Sequence, residues 1–391
     1  MKIKAISFIQ NYRNLSNQMI YFDDDINFII GDNDLGKTNI LELLNCFFIK
    51  KRFEISDYYH PSKPIKIVVD LENNEQIMGI QYPNQDKIIY DNTNNLDSIH
   101  GLFIQCHPTL NEDETIASIM KQIQDCFPCP SFVLFDEPEN HLHPYKQRSM
   151  VKKIHEKLSN QLFIVTHSPN ILLMNYKQFI RVFLKNKQLH IVSGSKINLE
   201  ETELYKHMLH NFIYLKEAMF SKLVIFVEGD SENGAFPVFA RRLKIDLDEH
   251  GIGIVKLDGA ESVVRCMLLY RKFGIESLAI IDQDKKDKYK NISNIFYTHG
   301  IDFEEDIYDN FALDDYFNCL KEIGGYTYLH NCWEQENLDE VSFMKKYKPS
   351  QLRYLREKKN ALKGLLLALY VTRIPDSYIH VIKEALRMTN Q

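Results

Sequence analysis

Gly31-Asp32-Asn33-Asp34-Leu35-Gly36-Lys37-Thr38 decides how the first half of the chain folds. An apolar run, Ile26-Asn27-Phe28-Ile29-Ile30, precedes it, and apolar residues recur after it at Ile40, Leu41, Leu43, Leu44 and Phe47. The pattern is a strand, a glycine-bounded loop and a helix, with the spacing G-x-x-x-x-G-K-T. Such a loop turns its backbone N–H groups and the helix N-terminus toward phosphates. Lys37 reaches the β- and γ-phosphates and Thr38 holds Mg²⁺. Asn33, Gly36, Lys37, Thr38 and Asn39 are therefore the nucleotide-binding candidates here, with ATP and Mg²⁺ as the ligand.

The chain around this loop has 391 residues, enough for two or three domains with more than one buried core. Hydrophobic residues make up 45% and charged residues 26%, a globular composition. A formal charge of −6 excludes a protein that is basic all over, but leaves room for a local nucleic-acid groove. No apolar stretch reaches the roughly 18 residues of a membrane span. The seven cysteines are scattered, and Met1-Lys2-Ile3-Lys4-Ala5-Ile6 reads as a first strand and not as a secretory signal. A reducing cytoplasm and no membrane partner are expected.

In chain order, strands are expected at Ile3–Ile9, Ile20–Phe22, Ile65–Leu71 and Gln76–Tyr82, with a turn at Glu72–Glu75. Asp91–Asn95 reads as a loop and Ile116–Cys126 as a helix. Cys126-Phe127-Pro128-Cys129 has metal-site spacing but no second ligand pair, so a loop with two thiols is expected and not zinc. Ser131-Phe132-Val133-Leu134-Phe135-Asp136-Glu137-Pro138 describes a buried parallel strand that ends in two acids at a ligand crevice. Asp136 suits Mg²⁺ and Glu137 the polarisation of water. A second buried strand, Leu162–Val165, leads to Thr166-His167-Ser168, where His167 can meet a γ-phosphate. A hairpin is expected from Val182–Leu184 and Leu189–Val192 around Lys185-Asn186-Lys187, then a helix over Leu199–Phe220.

Gly31–Thr38, Asp136-Glu137-Pro138-Glu139-Asn140-His141-Leu142-His143-Pro144 and Thr166-His167-Ser168-Pro169 together resemble the ABC-type ATPase of RecF, SMC and OLD-like proteins. The resemblance implies that Asp136 and Glu137 are the metal and catalytic acids and that His167 is the switch histidine. It also implies a homo-oligomer, a dimer or higher, formed through the ATPase domain. These ATPases carry a Ser-Gly-Gly-like signature before the acidic strand. Here that interval reads Thr109-Leu110-Asn111-Glu112-Asp113-Glu114-Thr115-Ile116, without glycine. ATP binding without fast turnover is the consequence expected.

A second centre begins at Lys222-Leu223-Val224-Ile225-Phe226-Val227-Glu228-Gly229-Asp230-Ser231-Glu232, another buried strand that ends in an acid and a glycine. Ile254-Val255-Lys256-Leu257-Asp258-Gly259 and Leu278-Ala279-Ile280-Ile281-Asp282-Gln283-Asp284 repeat the pattern. In extended backbone Asp282 and Asp284 would share a face, directed toward Glu228. Carboxylates gathered at strand ends repel one another unless a cation sits between them. Hard oxygen ligands favour Mg²⁺ or Mn²⁺, and such a site fits phosphodiester chemistry.

This half resembles a Toprim domain: Glu228-Gly229 with Glu232 matches the leading glutamate motif, and Asp282-x-Asp284 the paired aspartates. An ABC-type ATPase followed by Toprim resembles the OLD (overcoming lysogenization defect) nuclease family. The resemblance implies an α/β chain with an N-terminal ATPase domain over residues 1–220. A parallel, Rossmann-like Toprim domain with a C-terminal helical segment follows over residues 221–391. It implies metal-dependent cleavage of nucleic acid, DNA ahead of RNA, in defence against bacteriophage, with ATP regulating the cut and an accessory defence protein as a further partner. A Toprim RNase and a non-cutting DNA-binding clamp are the alternatives. It implies one more metal ligand, Glu304 within the seven carboxylates of Asp302–Asp315, and a phosphate-stabilising lysine. Lys363 is the first choice and Lys359 the second, in the basic run Lys345–Lys363, which is also the expected phosphate-backbone contact.

Overall fold

The computed structural model describes residues 1–92, 96–105, 112–126, 129–140, 142–173, 175–198, 214–357 and 359–390. The chain folds as two compact units, Met1–Asn198 and Leu199–Gln391. Residues 109–111 of the signature interval, the residues between Cys126 and Cys129, His141, and the first part of the helix expected over Leu199–Phe220 lie outside the described residues.

The first unit holds two sheets. An antiparallel five-stranded sheet runs in the order β2-β1-β4-β5-β6. Its strands are β1 (Ile3–Gln10), β2 (Ile20–Tyr21), β4 (Ile65–Leu71), β5 (Gln76–Gln81) and β6 (Ile89–Tyr90). Ile65, Ile67, Val69 and Leu71 alternate inward along β4, so one face meets the core and the other stays partly wet. The six-stranded sheet has the order β11-β10-β3-β9-β8-β7. It contains β3 (Ile26–Gly31), β7 (Gly101–Gln105), β8 (Phe132–Asp136), β9 (Gln161–Val165), β10 (Phe179–Lys185) and β11 (Gln188–Ser193). All neighbours are parallel except the hairpin β10–β11, which turns on Asn186 and Lys187 at φ +52° and +61°. Two successive positive φ values give the turn a twist that matches its strands. β3, β8 and β9 are buried on both faces, so each reads as a largely apolar run, with Asn27 in β3 and Gln161 in β9 as buried polar residues.

Helix α1 (Lys37–Leu44) follows the glycine loop. The apolar spacing predicts that it continues through Phe47. Instead the chain widens at Leu44 into a π-helix over Asn45–Lys50, which still buries Phe47 and Phe48. Helices α2 (Glu112–Asp125) and α3 (Pro144–Lys157) complete the unit. Cys126 and Cys129 form no disulfide.

The second unit is built on a parallel sheet in the order β13-β12-β14-β15. Its strands are β12 (Leu223–Val227), β13 (Ile252–Lys256), β14 (Glu276–Ile281) and β15 (Ile295–Tyr297). Helices α4 (Asp230–Arg242) and α5 (Ala260–Lys272) each follow a strand, as parallel connections require. Apart from β15, the chain from Lys286 onward is helical. It comprises α6 (Lys286–Tyr289), α7 (Phe303–Tyr308), α8 (Leu313–Ile323), α9 (Tyr326–Gln335), α10 (Glu340–Arg356), α11 (Ala361–Tyr370) and α12 (Asp376–Thr389). Leu223, Ile225 and Val227 of the sheet share one core with Phe236, Phe239, Leu367 and Tyr378 of these helices.

Two glycines set the closest crossing in this unit. A Cβ on Gly364 of α11 would stand 1.9 Å from the Ser231 carbonyl oxygen, and one on Gly234 of α4 would stand 1.9 Å from that of Ala361. The two helix backbones touch there, which fixes the first turn of α4 against the start of α11. Among the described residues, no helix is long and apolar enough to cross a membrane.

Candidate nucleotide and metal sites

The glycine loop is shaped by its backbone. Gly36 sits at φ +87°, where a Cβ would also strike the Asn14 and Asn39 side chains. That left-handed conformation carries no steric cost for glycine. Asn14 donates to the Leu35 carbonyl at 2.9 Å, and Asn39 donates to the Asn14 Oδ1 at 2.8 Å. Arg13 donates to the Asn39 Oδ1 at 2.6 Å and pairs with Asp57, also at 2.6 Å. Sequence reasoning missed Arg13 and Asn14; their signal is the polar stretch Asn11–Asn14 that follows β1. Asn33 lies exposed at the loop tip.

Behind the loop, Lys37 is buried and its ammonium donates to the Asp32 carbonyl at 2.5 Å. Burial draws its pKa below the ordinary lysine value against the pull of Asp32 and Glu137. Thr38 donates its hydroxyl to the Asp136 Oδ1 at 3.2 Å. The parallel pairing of β3 with β9 and of β9 with β8 brings these three strand ends together. Burial pushes Asp136 up, although the Thr38 hydrogen bond opposes this.

Glu137 adopts φ +46°, costly for a residue with a Cβ, and its carboxylate lies 3.1 Å from His167 Nε2. Asn140 donates to the other Glu137 oxygen at 2.8 Å. Burial holds His167 below its ordinary value, helped by the Lys37 charge. Glu139 belongs to the same motif, and its spacing gives no sign of a role. It is buried, and its Oε1 accepts from the Thr166 hydroxyl at 2.6 Å and from the His167 N–H at 2.9 Å. It therefore sets where His167 stands.

In the second unit, Val227 pairs with Ile280, so the chain leaves β12 at Glu228 beside the end of β14. The Asp282 N–H donates to Glu228 Oε1 at 2.8 Å. β14 ends at Ile281, and Asp284 lies in a 3₁₀ turn, Gln283–Lys285. The two aspartates therefore do not share the face of one strand, as extended backbone would require. A turn, and not the pleat, carries Asp284 beside Glu228; it is half exposed and 2.6 Å from Lys285. The third strand end is answered locally, since Lys256 lies 3.0 Å from Asp258 and 3.4 Å from Asp230.

Glu232, one turn into α4, is buried, as is Glu304 in α7. Ser231 donates to Glu304 Oε1 at 3.2 Å, which ties the two helices together. Burial pushes Glu232 up to about 8, and the charges of Glu304 and Asp282 add to the effect. Burial and the Glu228 charge push Asp282 up to about 7. Glu228 and Glu304 are raised as well, each chiefly by burial. Carboxylates in this state have too little positive charge near them to ionise together. Their donors are all hard oxygens, so the residues present fit Mg²⁺ or Mn²⁺. Among the described residues, no three such side chains already surround one ion position.

The acidic segment around Glu304 is held from the C-terminal helices. Arg356 grips Asp302 with two hydrogen bonds, 2.7 and 3.0 Å long. Asp302 caps α7 by accepting from the Glu305 N–H at 3.1 Å. Burial raises Asp302, but Arg356 and the cap outweigh this and hold it below the usual carboxylate value. Lys348 pairs with Glu305 and Asp309, each at 2.8 Å. Lys346 pairs with Glu336 at 2.6 Å. Much of the basic run is thus engaged with acids.

The two candidate lysines separate. Lys363 donates to the carbonyls of Tyr354, Leu355 and Glu357 at 2.9, 2.8 and 2.9 Å. It closes the C-terminal end of α10, where unsatisfied carbonyls favour a cation. Lys359 enters the acid cluster, with its Nζ 2.5 Å from Glu304 Oε2.

Comparison with known proteins matches three stretches. The family model "Overcoming lysogenization defect protein-like, TOPRIM domain" matches residues 219–284. An AAA ATPase domain model matches residues 1–129. A further AAA model, described as "putative AbiEii toxin, Type IV TA system", matches residues 120–173. Endonuclease GajA of Bacillus cereus (strain HuB5-5) is 26% identical over 202 residues, 42% of this chain and 29% of that protein. The Old nuclease of Escherichia phage P2 is 26% identical over 208 residues, 50% of this chain and 34% of that protein. The matched stretches thus span about a third of those relatives. Among solved structures, the C-terminal region of the Burkholderia pseudomallei OLD protein covers 44% of this chain and 99% of that one. Its TM-score is 0.31 at 16% identity.

Proposed function

Since the chain belongs to the OLD family of ATPase–Toprim proteins, we propose that it is an ATP-regulated endonuclease that cuts DNA with Mg²⁺ or Mn²⁺. The observation that carries this reading is the gathering of Glu228 and Asp282 at the ends of β12 and β14 with the buried Glu232 and Glu304 of the helices packed there. Glu228, Glu232, Asp282, Asp284 and Glu304 are the residues that would hold the divalent ions. Ions held there would supply a nucleophile for attack on the phosphodiester and stabilise the leaving oxygen. The Asp282 N–H fixes the Glu228 carboxylate, and Ser231 fixes Glu304. Lys359 supplies positive charge to the phosphate, while Lys363 holds the end of α10 and so the connection that carries Lys359.

ATP would be held by Asn33, Gly36, Lys37, Thr38 and Asn39, with Asp136 available to its Mg²⁺ and Glu137 and His167 to its phosphate end. It controls cutting and is not consumed in proportion to it, in keeping with an interval before the acidic strand that lacks the glycine signature. The chain works as a homo-oligomer through its ATPase unit. Defence against bacteriophage or mobile DNA, with an accessory protein, follows from the family resemblance.

Plasmid incubated with Mn²⁺, with and without ATP, tests the reading. Wild type cuts, and Asp282→Ala cuts at least about 100-fold more slowly, the loss that follows when a metal site is disordered. Equal cutting by both proteins would overturn the metal site. Cutting of structured RNA but not of plasmid would reassign the substrate.

A further inference from the structure

Glu304 is 1% exposed; its Oε1 is hydrogen-bonded, while its Oε2 accepts no aligned hydrogen bond and lies against a charge. Oε1 accepts from Ser231 at 3.2 Å, and Oε2 faces the Lys359 ammonium at 2.5 Å. Ser231 lies in the first turn of α4, pressed against α11 through Gly364, so the Oε1 contact is built into the helix crossing. Lys359 is different. It projects from the short connection between α10 and α11, and its side chain remains 42% exposed. A magnesium-sized ion binds a carboxylate oxygen at about 2.1 Å. An ammonium already 2.5 Å from that oxygen stands in the path of the ion and repels the incoming charge.

We infer that Lys359 is an internal competitor for the divalent ion at Glu304: ion entry moves its ammonium off Oε2, and the displaced group then takes a phosphate oxygen of the nucleic acid. One side chain thereby links metal loading to the grip on substrate. This rests on the proposed divalent site and adds an order to it, in which the lysine reaches phosphate after the ion reaches Glu304. The neighbouring basic residues do not substitute for it, because Lys363 is held by three carbonyls and Arg356 by Asp302.

Two measurements on the full chain, without nucleotide or nucleic acid, test the inference. The first is Mn²⁺ titration by calorimetry of wild type, Lys359→Gln and Glu304→Gln. Lys359→Gln should bind Mn²⁺ about three- to tenfold more tightly, because a half-exposed charge competitor is gone. Glu304→Gln should bind more weakly than wild type. The second is acylation of wild-type lysines read by mass spectrometry, in which Mn²⁺ should raise labelling at Lys359. Unchanged or weaker Mn²⁺ affinity in Lys359→Gln, or unchanged labelling, overturns the competition while leaving the metal site standing. A Glu304→Gln protein that binds like wild type removes Glu304 from the site and the inference with it. If wild type takes up no Mn²⁺, the metal site and the inference fall together.

Discussion

The nucleotide loop and the acid cluster are both built where buried parallel strands end, yet they solve opposite problems. Around the loop each charge is answered close by: Lys37 by a carbonyl of its own loop, Asp136 by Thr38, Glu137 by His167. The acid cluster gathers like charges that burial and mutual repulsion keep from ionising together. Its balance comes from residues more than fifty positions beyond the acids they pair with, Arg356 on Asp302 and Lys359 on Glu304. A backbone cradle needs only its own segment and the strands beside it. A carboxylate cluster needs the rest of its unit, so the C-terminal helices belong to that site as much as the strands do.

The sharpest way to break this comparison is to separate the helices. Gly364→Val places side-chain atoms where the Ser231 carbonyl already stands, and neither backbone can yield without moving the turn that carries Glu232. Overpacking of this kind costs about 3 kcal/mol, which lowers the melting temperature by roughly 6 °C or more. Mn²⁺ binding should fall with it, and ATP binding at the loop should persist. If thermal scanning calorimetry found Gly364→Val as stable as wild type, the crossing would not be what positions the acids.

Lys37→Ala probes the other side. The ammonium makes charge-assisted hydrogen bonds to phosphate, each worth about 1.5–3 kcal/mol, so ATP affinity should drop about 10- to 100-fold. Titration with a fluorescent ATP analogue measures this. Mn²⁺ uptake at the acid cluster, read in the same preparation, should be unaltered. A matching loss of both would show that the two sites are energetically one.

The same contrast explains what the sequence disclosed. Residues 31–38 announce themselves because a phosphate cradle is local: a glycine at positive φ, a lysine and a threonine within one turn. Asp136, Glu137 and His167 are legible because buried strands write themselves as apolar runs that end in a polar residue. Arg13 and Glu139 stayed hidden because their work is to hold other residues, and spacing carries no mark of that. In the second unit the strand-end acids were visible, but the geometry of Asp284 depends on where β14 stops, which a turn decides and periodicity does not. The resemblance ranks Lys363 ahead of Lys359, but spacing does not show what holds either one. Both lie in one basic run, and only the end of α10 shows that Lys363 has three carbonyls to satisfy.

The smallest effect expected is at Arg356, and it separates geometry from charge. Its Nε and Nη2 reach the two oxygens of Asp302, the residue that caps the helix carrying Glu304. Arg356→Lys keeps the positive charge and removes the fork that fixes the carboxylate plane. Arg356 is 38% exposed, so solvent screens much of the pair and the stability loss should stay at about 0.5–1 kcal/mol. Thermal unfolding resolves that as a shift of a few degrees. Mn²⁺ affinity is the more telling number. If the fork aligns α7, affinity falls two- to threefold, on the order of 0.5 kcal/mol, although the net charge is unchanged. If Arg356 acts only as a countercharge, Arg356→Lys binds Mn²⁺ like wild type and Arg356→Gln does not. The dependence of the cluster on the C-terminal helices would then be electrostatic at this point and steric only where Gly364 meets Ser231.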